Sequence, residues 1–174
     1  MVMSFSLDYI LVCMLFPFIM AYAAASDLLT MRISNRVTSF LAASFAVYAL
    51  SSNMSFQDMG WHVAAGVLTL IAAFAMFARG WVGGGDAKLA ATTALWLGLS
   101  SLVDYLVVAA IIGGALTLAI VYLRTFPLPK ITLRIPFVVK LHDSTSGIPY
   151  GIALATAALI VMPNALGWER LAYT

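Results

Sequence analysis

Charge is scarce in this sequence: Asp, Glu, Lys and Arg make up 9% of 174 residues, 63% are hydrophobic, and the mean hydropathy is +1.02. No ordinary soluble domain reaches that average, so a soluble globular class is excluded and an integral membrane protein remains. Cysteine is almost missing. Cys13 stands alone in an apolar segment, which rules out an internal disulfide and a cysteine-based zinc site and makes it a packing residue rather than a nucleophile. Only two histidines occur, His62 and His142, and they fall in segments expected on opposite sides of the membrane, so neither a metal cluster nor a His-activated nucleophile is available. The patterns His-Glu-x-x-His and Gly-x-Ser-x-Gly are absent, as is the Gly-Lys-Ser/Thr ending of a phosphate loop. A net charge of +2 gives no reason to expect nucleic acid as a partner. Lys and Arg are also missing from Met1 to Asp8. Although Ala23-Ala24-Ala25 has the small side chains of a signal cleavage site, the apolar run before it is longer than a signal core, and we expect a retained helix.

What is present is apolar sequence in long runs. Six stretches stand out, at 7–26, 37–52, 61–79, 87–100, 102–123 and 148–163. Continuous runs fit helices, whereas barrel strands would alternate apolar and polar residues. The expected fold is therefore all-α: a polytopic membrane protein of about six transmembrane helices in one bundle, with residues 1–174 as a single domain. Eight of the nine Lys and Arg residues then fall on one side (Arg32, Arg36, Arg79, Lys88, Arg124, Lys130, Arg134, Lys140), leaving Arg170 opposite. The positive-inside rule makes the crowded side cytoplasmic and puts both termini outside. His62, beside Trp61 near the outer end of the third stretch, reads as an interfacial residue.

Against this background two acids are conspicuous. Asp27 ends the first stretch, and Asp86 follows three glycines in Gly83-Gly84-Gly85-Asp86-Ala87-Lys88-Leu89. A carboxylate near hydrocarbon costs a few kcal/mol, so chains rarely carry one there without a use for it. A glycine-rich turn with a solvated capping Asp is the plain structural alternative. The fourth stretch, only about 21 Å long at ~1.5 Å per residue, is shorter than a hydrocarbon core of ~30 Å. Its start is therefore expected below the inner surface, with Trp81, Val82 and the glycines as irregular backbone beside a water-filled cavity. Asp27 and Asp86 share a side and a depth. Two carboxyls brought together away from bulk water do not both ionise easily and share a proton, as an aspartic protease requires. Proton-coupled carriers use the same residues, so the acids alone leave transport and catalysis both open.

The longest connection, Thr125 to Gly147, mixes cations with apolar residues, and Pro127, Pro129 and Pro136 oppose one continuous helix. It is expected to lie on the inner leaflet, either as a plain amphipathic connector or as an edge where substrate docks. Gly113-Gly114-Ala115 reads as close helix packing.

The motifs resemble those of the type IV prepilin peptidases, in particular the short form serving Flp/Tad-type pili, within the Gly-x-Gly-Asp class of membrane aspartic proteases. Asp27 is followed by Ile33-Ser34-Asn35, with Ser34 where the family commonly has Pro. Gly83 to Leu89 fits Gly-x-Gly-Asp-x-Lys-Leu, and Gly147-Ile148-Pro149-Tyr150-Gly151 resembles the family's motif at the start of the last helix. The resemblance implies that Asp27 and Asp86 are the catalytic pair and that Gly83 and Gly85 shape the loop presenting Asp86. Pro149, Tyr150 and Gly151 join them as loop-shaping or substrate-binding residues. Lys88 is not expected to act directly, since a residue two positions on does not share a helical face with Asp86. No metal or cofactor is implied. The expected substrate is a prepilin leader with its apolar helix, cut after a glycine at the inner surface of a prokaryotic inner membrane. Its unwound cut site would enter between the first, fourth and sixth helices. The long members also N-methylate the new terminus and carry a four-cysteine zinc region that this sequence lacks, so the resemblance implies cleavage and does not extend to methylation. A small proton-coupled carrier and a noncatalytic pilus assembly factor are the competing readings.

Overall fold

The computed structural model describes residues 7–129 and 131–165; Lys130, Arg170 and the two termini, all used in the topology above, lie outside the described residues. The described chain is helical, with no strand among the described residues. Helix α1 runs Leu7–Thr30 and passes through a π-helical turn at Leu11–Leu15; α2 is Asn35–Ser51, α3 Phe56–Ala78, α4 Gly84–Leu97 and α5 Leu102–Leu123. A 3-10 turn at Thr132–Arg134 and a short α6, Pro136–His142, break the long connection before α7, Tyr150–Ala165. Helices α1, α3 and α5 are long and apolar enough to cross a membrane, and the chain is a polytopic membrane bundle.

The shorter helices form the inside. α4 packs along α3 and also touches α2 and α7, while α7 packs against α1 and α5. Only 11% of the most apolar window of α3 is buried, whereas α4 buries residues on most of its turns, from Ala87 to Leu97. A helix facing lipid must match the hydrocarbon thickness, and one wrapped in protein need not. At the centre Trp96 is fully buried, stacks on Tyr48 at 5.4 Å, and donates its indole N–H to the Leu41 carbonyl at 2.8 Å. That bond satisfies a donor with no water to turn to.

Three expectations change. α3 begins five residues before the apolar run, because Ser55 caps it by accepting from the Asp58 N–H at 3.1 Å. α1 continues past Asp27 to Thr30 and stops at Met31, whose φ of 55° is left-handed. Gly84 and Gly85 are not irregular backbone: Gly83 is the N-cap of α4 and the next two glycines are its first turn. The irregular stretch lies just before, where Gly80 has φ +75°.

At the end holding Asp27 and Asp86, three of the cations are tied into the scaffold. Lys88 Nζ donates to Asn35 Oδ1 at 2.8 Å, Lys140 Nζ donates to the Thr30 carbonyl at 2.8 Å, and Arg124 donates to the carbonyls of Leu141, Ser146 and Gly147 at 2.9, 3.1 and 3.2 Å. The long connection is thus folded back onto α1 and α5. Its turn is fixed by Asp143, which accepts from the Thr145 N–H and hydroxyl; these bonds hold its carboxyl below the usual carboxylate range. At the opposite end a cavity of about 790 Å³ is lined by Tyr48, Asp58, Trp61, His62, Gly98 and Asn164. His62 is half-buried there, its Nδ1 2.9 Å from the Leu95 carbonyl and its ring stacked on Phe45, so it is a packing residue as well as an interfacial one.

Candidate active site

The carboxyl of Asp27 is placed by the last full turn of α1. Thr30 Oγ1 donates to the Ser26 carbonyl at 2.7 Å and to the Arg32 carbonyl at 3.1 Å, which turns the chain sharply out of the helix. Asp27 is buried, 5% exposed, and its Oδ2 accepts the Gly151 backbone N–H at 2.7 Å. That donor is one of the orphan N–H groups at the start of α7, a position where a helix attracts negative charge. Gly151 has to be glycine: a Cβ there would meet Asp27 Oδ2 and Ile33 Cδ1, each at 2.8 Å.

Asp86 is the third residue of α4, and its side chain turns back over the N-cap. A Cβ on Gly83 would meet Asp86 Oδ2 at 2.8 Å, and the carboxyl interacts with the Gly83 backbone. An acid three residues after the cap can reach the cap's own N–H, as in a capping box. Gly85 lets the loop after α1 approach α4, since a Cβ there would meet Ile33 Cβ at 3.1 Å. The two aspartates belong to different helix ends but act on each other electrostatically and border the same empty space. One cavity, of about 520 Å³, is lined by residues 26–27, 30–34 and 83–86. A second, of about 710 Å³, meets both acids from the other side and extends past Met76, Trp81, Thr117 and Arg124 to Tyr150.

Of the seven residues singled out from the sequence, Asp27, Asp86, Gly83, Gly85 and Tyr150 border these cavities and Gly151 touches Asp27, whereas Pro149 lines neither cavity. Gly83 and Gly85 line the first cavity, Tyr150 lines the second, Pro149 is fully buried at the start of α7, and Gly151 holds Asp27. The walls come from α1, α4 and α7, with α3 and α5 closing the second cavity. Among the described residues no three His, Cys, Asp or Glu side chains converge as metal ligands. His142 sits in a separate small pocket under α6.

The sequence matches the type IV leader peptidase family over residues 14–118, well over half of the chain. The chain belongs to the type IV leader peptidase family. The match takes in Asp27, the glycine-rich stretch and Asp86, and it ends before Gly147-Ile148-Pro149-Tyr150-Gly151. Comparison with curated proteins and with solved structures gives no match. The protein is thus a membrane peptidase of the leader-cleaving kind.

Several residues at this leader peptidase site were given no role at the acids from the sequence, where Ile33 was only part of the motif after Asp27 and Gly113 only a packing glycine. Ile33 fills the space between Gly85 and Gly151. Gly113 leaves room for the ring of Tyr150, which lies against the place where its Cβ would be. Arg124 counted only as a topological charge, yet it ties down Ser146 and Gly147, which lead into α7. A lone Arg and a packing glycine carry no local signal of such roles. The signal is tertiary.

Proposed function

We propose that this peptidase is an aspartic endopeptidase that removes the leader from Flp-type prepilins at the cytoplasmic face of a prokaryotic inner membrane. The observation that carries the reading is that Asp27 and Asp86, from different helices, line the same two cavities. Water has to be activated and the carbonyl oxygen charge quenched at one place, and a pair sharing a proton does both. The ionised carboxyl takes a proton as water oxygen bonds to the scissile carbon, while the protonated one gives its proton to the carbonyl oxygen. Collapse of the tetrahedral species breaks the C–N bond, and the proton taken from water leaves on the amine. The Gly151 N–H donates to Oδ2 of Asp27 and so helps to fix the orientation of that carboxyl.

The positive-inside rule supports the side, because the described Lys and Arg residues sit at the end that holds the acids. In this reading residues 1–174 form one domain with both termini outside, the leader and apolar helix of the prepilin are the substrate, lipid is the surroundings, and no cofactor takes part.

The test is co-expression with a cognate Flp-type prepilin, scoring leader removal by immunoblot. Asp27→Asn and Asp86→Asn should each leave the prepilin uncut at normal expression, a fall of at least ~100-fold for the loss of an acid–base group. Processing by either variant would refute the aspartic mechanism and favour an assembly factor that keeps the fold.

A further inference from the structure

Lys88, in the stretch after Asp86, and Asn35, in the stretch after Asp27, line neither cavity. They bond to each other, Lys88 Nζ donating to Asn35 Oδ1 at 2.8 Å across 53 positions of sequence. On α4, Lys88 follows Gly85 at helical i, i+3 spacing and so lies on the same face. Beside that face run residues 32–34, which have no regular secondary structure and lead into Asn35. α4 therefore meets this short loop at two points, Lys88 on Asn35 and Gly85 against Ile33. Ile33 is only 9% exposed and touches the supports of both acids. A Cβ on Gly85, the neighbour of Asp86, would stand 3.1 Å from Ile33 Cβ, and one on Gly151, whose N–H holds Asp27, would stand 2.8 Å from Ile33 Cδ1. The near end of the loop is pinned as well, by Lys140 on the Thr30 carbonyl.

We propose that Lys88 is a positioning residue: by holding Asn35 it seats Ile33 as a spacer between the starts of α4 and α7, and so sets how far apart the carboxyls of Asp27 and Asp86 stand. The inference rests on the aspartic reading above, because only a reaction that needs both acids at one water is sensitive to their separation. The bond is exposed, so losing it opens no cavity in the bundle. What it frees is the loop, and with it the seat of Ile33. Lys88 thus acts on the acids through Asn35 and Ile33, in keeping with its place off the helical face of Asp86.

Steady-state cleavage of a cognate prepilin by the purified full-length protein in lipid vesicles tests the latch. Asn35→Ala breaks the bond without changing charge, and Lys88→Met breaks it from the other side. Each should lower kcat roughly 10-fold, part of the ~100-fold cost of a full 1 Å displacement, with KM unchanged. The double variant should be no slower than either single one, since the two residues act through one bond. Arg36→Gln removes a neighbouring exposed cation that has no side-chain partner among the described residues, and should leave the rate unchanged. The second readout is the pH profile of kcat for Asn35→Ala. Two carboxyls that share a proton titrate in two steps spread apart by their interaction, so the acid and alkaline limbs should draw together as the acids separate. A variant that was merely less well folded would keep both limbs in place. The other charged or titratable side chains bordering the cavities, Arg32, Arg124 and Tyr150, are untouched. An undiminished rate, losses that add in the double variant, a change in KM alone, limbs that do not move or an equal loss in Arg36→Gln would overturn the latch. Cleavage by Asp27→Asn or Asp86→Asn would overturn the aspartic reading and the latch with it, whereas two essential acids with unmoved limbs remove the latch alone.

Discussion

Gly151 donates its backbone N–H to Oδ2 of Asp27 at 2.7 Å and thereby joins the end of α1 to the start of α7 across 124 positions of sequence. The contact explains why a motif near the end of the chain matters to an acid near its beginning. It also makes a backbone N–H, which only a proline substitution would remove, the partner of the carboxyl proposed to act in cleavage.

Gly151→Ala keeps that N–H but adds a Cβ that would stand 2.8 Å from the carboxylate oxygen and 3.0 Å from Asp27 Cβ. The acid must move. Misplacing a reacting group by ~1 Å costs on the order of 100-fold, so the initial rate of leader cleavage should fall by about that factor while helix content by circular dichroism is unchanged. A wild-type rate would show that Asp27 does not need this position.

Gly113→Leu should fail where Gly114→Leu succeeds. The first puts a side chain into the ring of Tyr150, whereas a Cβ on Gly114 meets nothing within 4 Å. Cleavage is expected to drop at least ~10-fold for the first, about 1.4 kcal/mol in the barrier, and to change little for the second. Equal rates would separate Tyr150 from the chemistry.

Arg124→Gln loses the charge and the fork that holds three carbonyls. A hydrogen bond to a charged group contributes ~1.5–3 kcal/mol, and the segment leading to Gly151 should loosen. We expect kcat to fall roughly 10-fold with KM little changed, and Arg124→Lys to recover only part, because an ammonium is a point charge without the planar fork. A KM effect alone would make Arg124 a substrate contact instead.

A pair that shares one proton works only in its singly protonated state. The rate at saturating prepilin should therefore fall on the acid side, where both carboxyls are protonated, and again on the alkaline side, where both are ionised. Asp143 contributes no acid limb above pH about 3.9. Its carboxyl is lowered in the folded chain, so its turn is fully held above the unfolded value of about 3.9 and is lost only as pH falls through the lower folded one. A profile with one limb would argue against the shared proton.

Much of the scaffold was legible because lipid imposes simple rules. Six apolar runs became the six longer helices, and the family motifs marked the residues that surround the acids. Boundaries were less legible where local chemistry competes with hydropathy. Ser55-Phe56-Gln57-Asp58 starts α3 outside its apolar run, through a cap that the sequence did spell out. Gly84 and Gly85 read as turn residues by propensity, yet they form the first turn of α4, where a Cβ on Gly85 would crowd Ile33 at 3.1 Å and one on Gly84 the ring of Phe77 at 3.3 Å. The role of Arg124 and the meeting of Asp27 with Gly151 depend on which helix ends become neighbours, and spacing along the chain does not encode that directly.

The brevity of α4 has an electrical consequence. Its 14 residues end at Gly98, which lines the far cavity, while its first turn borders the two cavities that hold the acids. Water-accessible space thus approaches from both ends across about 21 Å of helix at ~1.5 Å per residue, less than the ~30 Å of hydrocarbon around it. The membrane voltage falls over that thinner insulator, worth ~2.3 kcal/mol per charge for each 100 mV crossed in full. The acids stand at its edge, so protons reach them from one compartment with almost no electrical work.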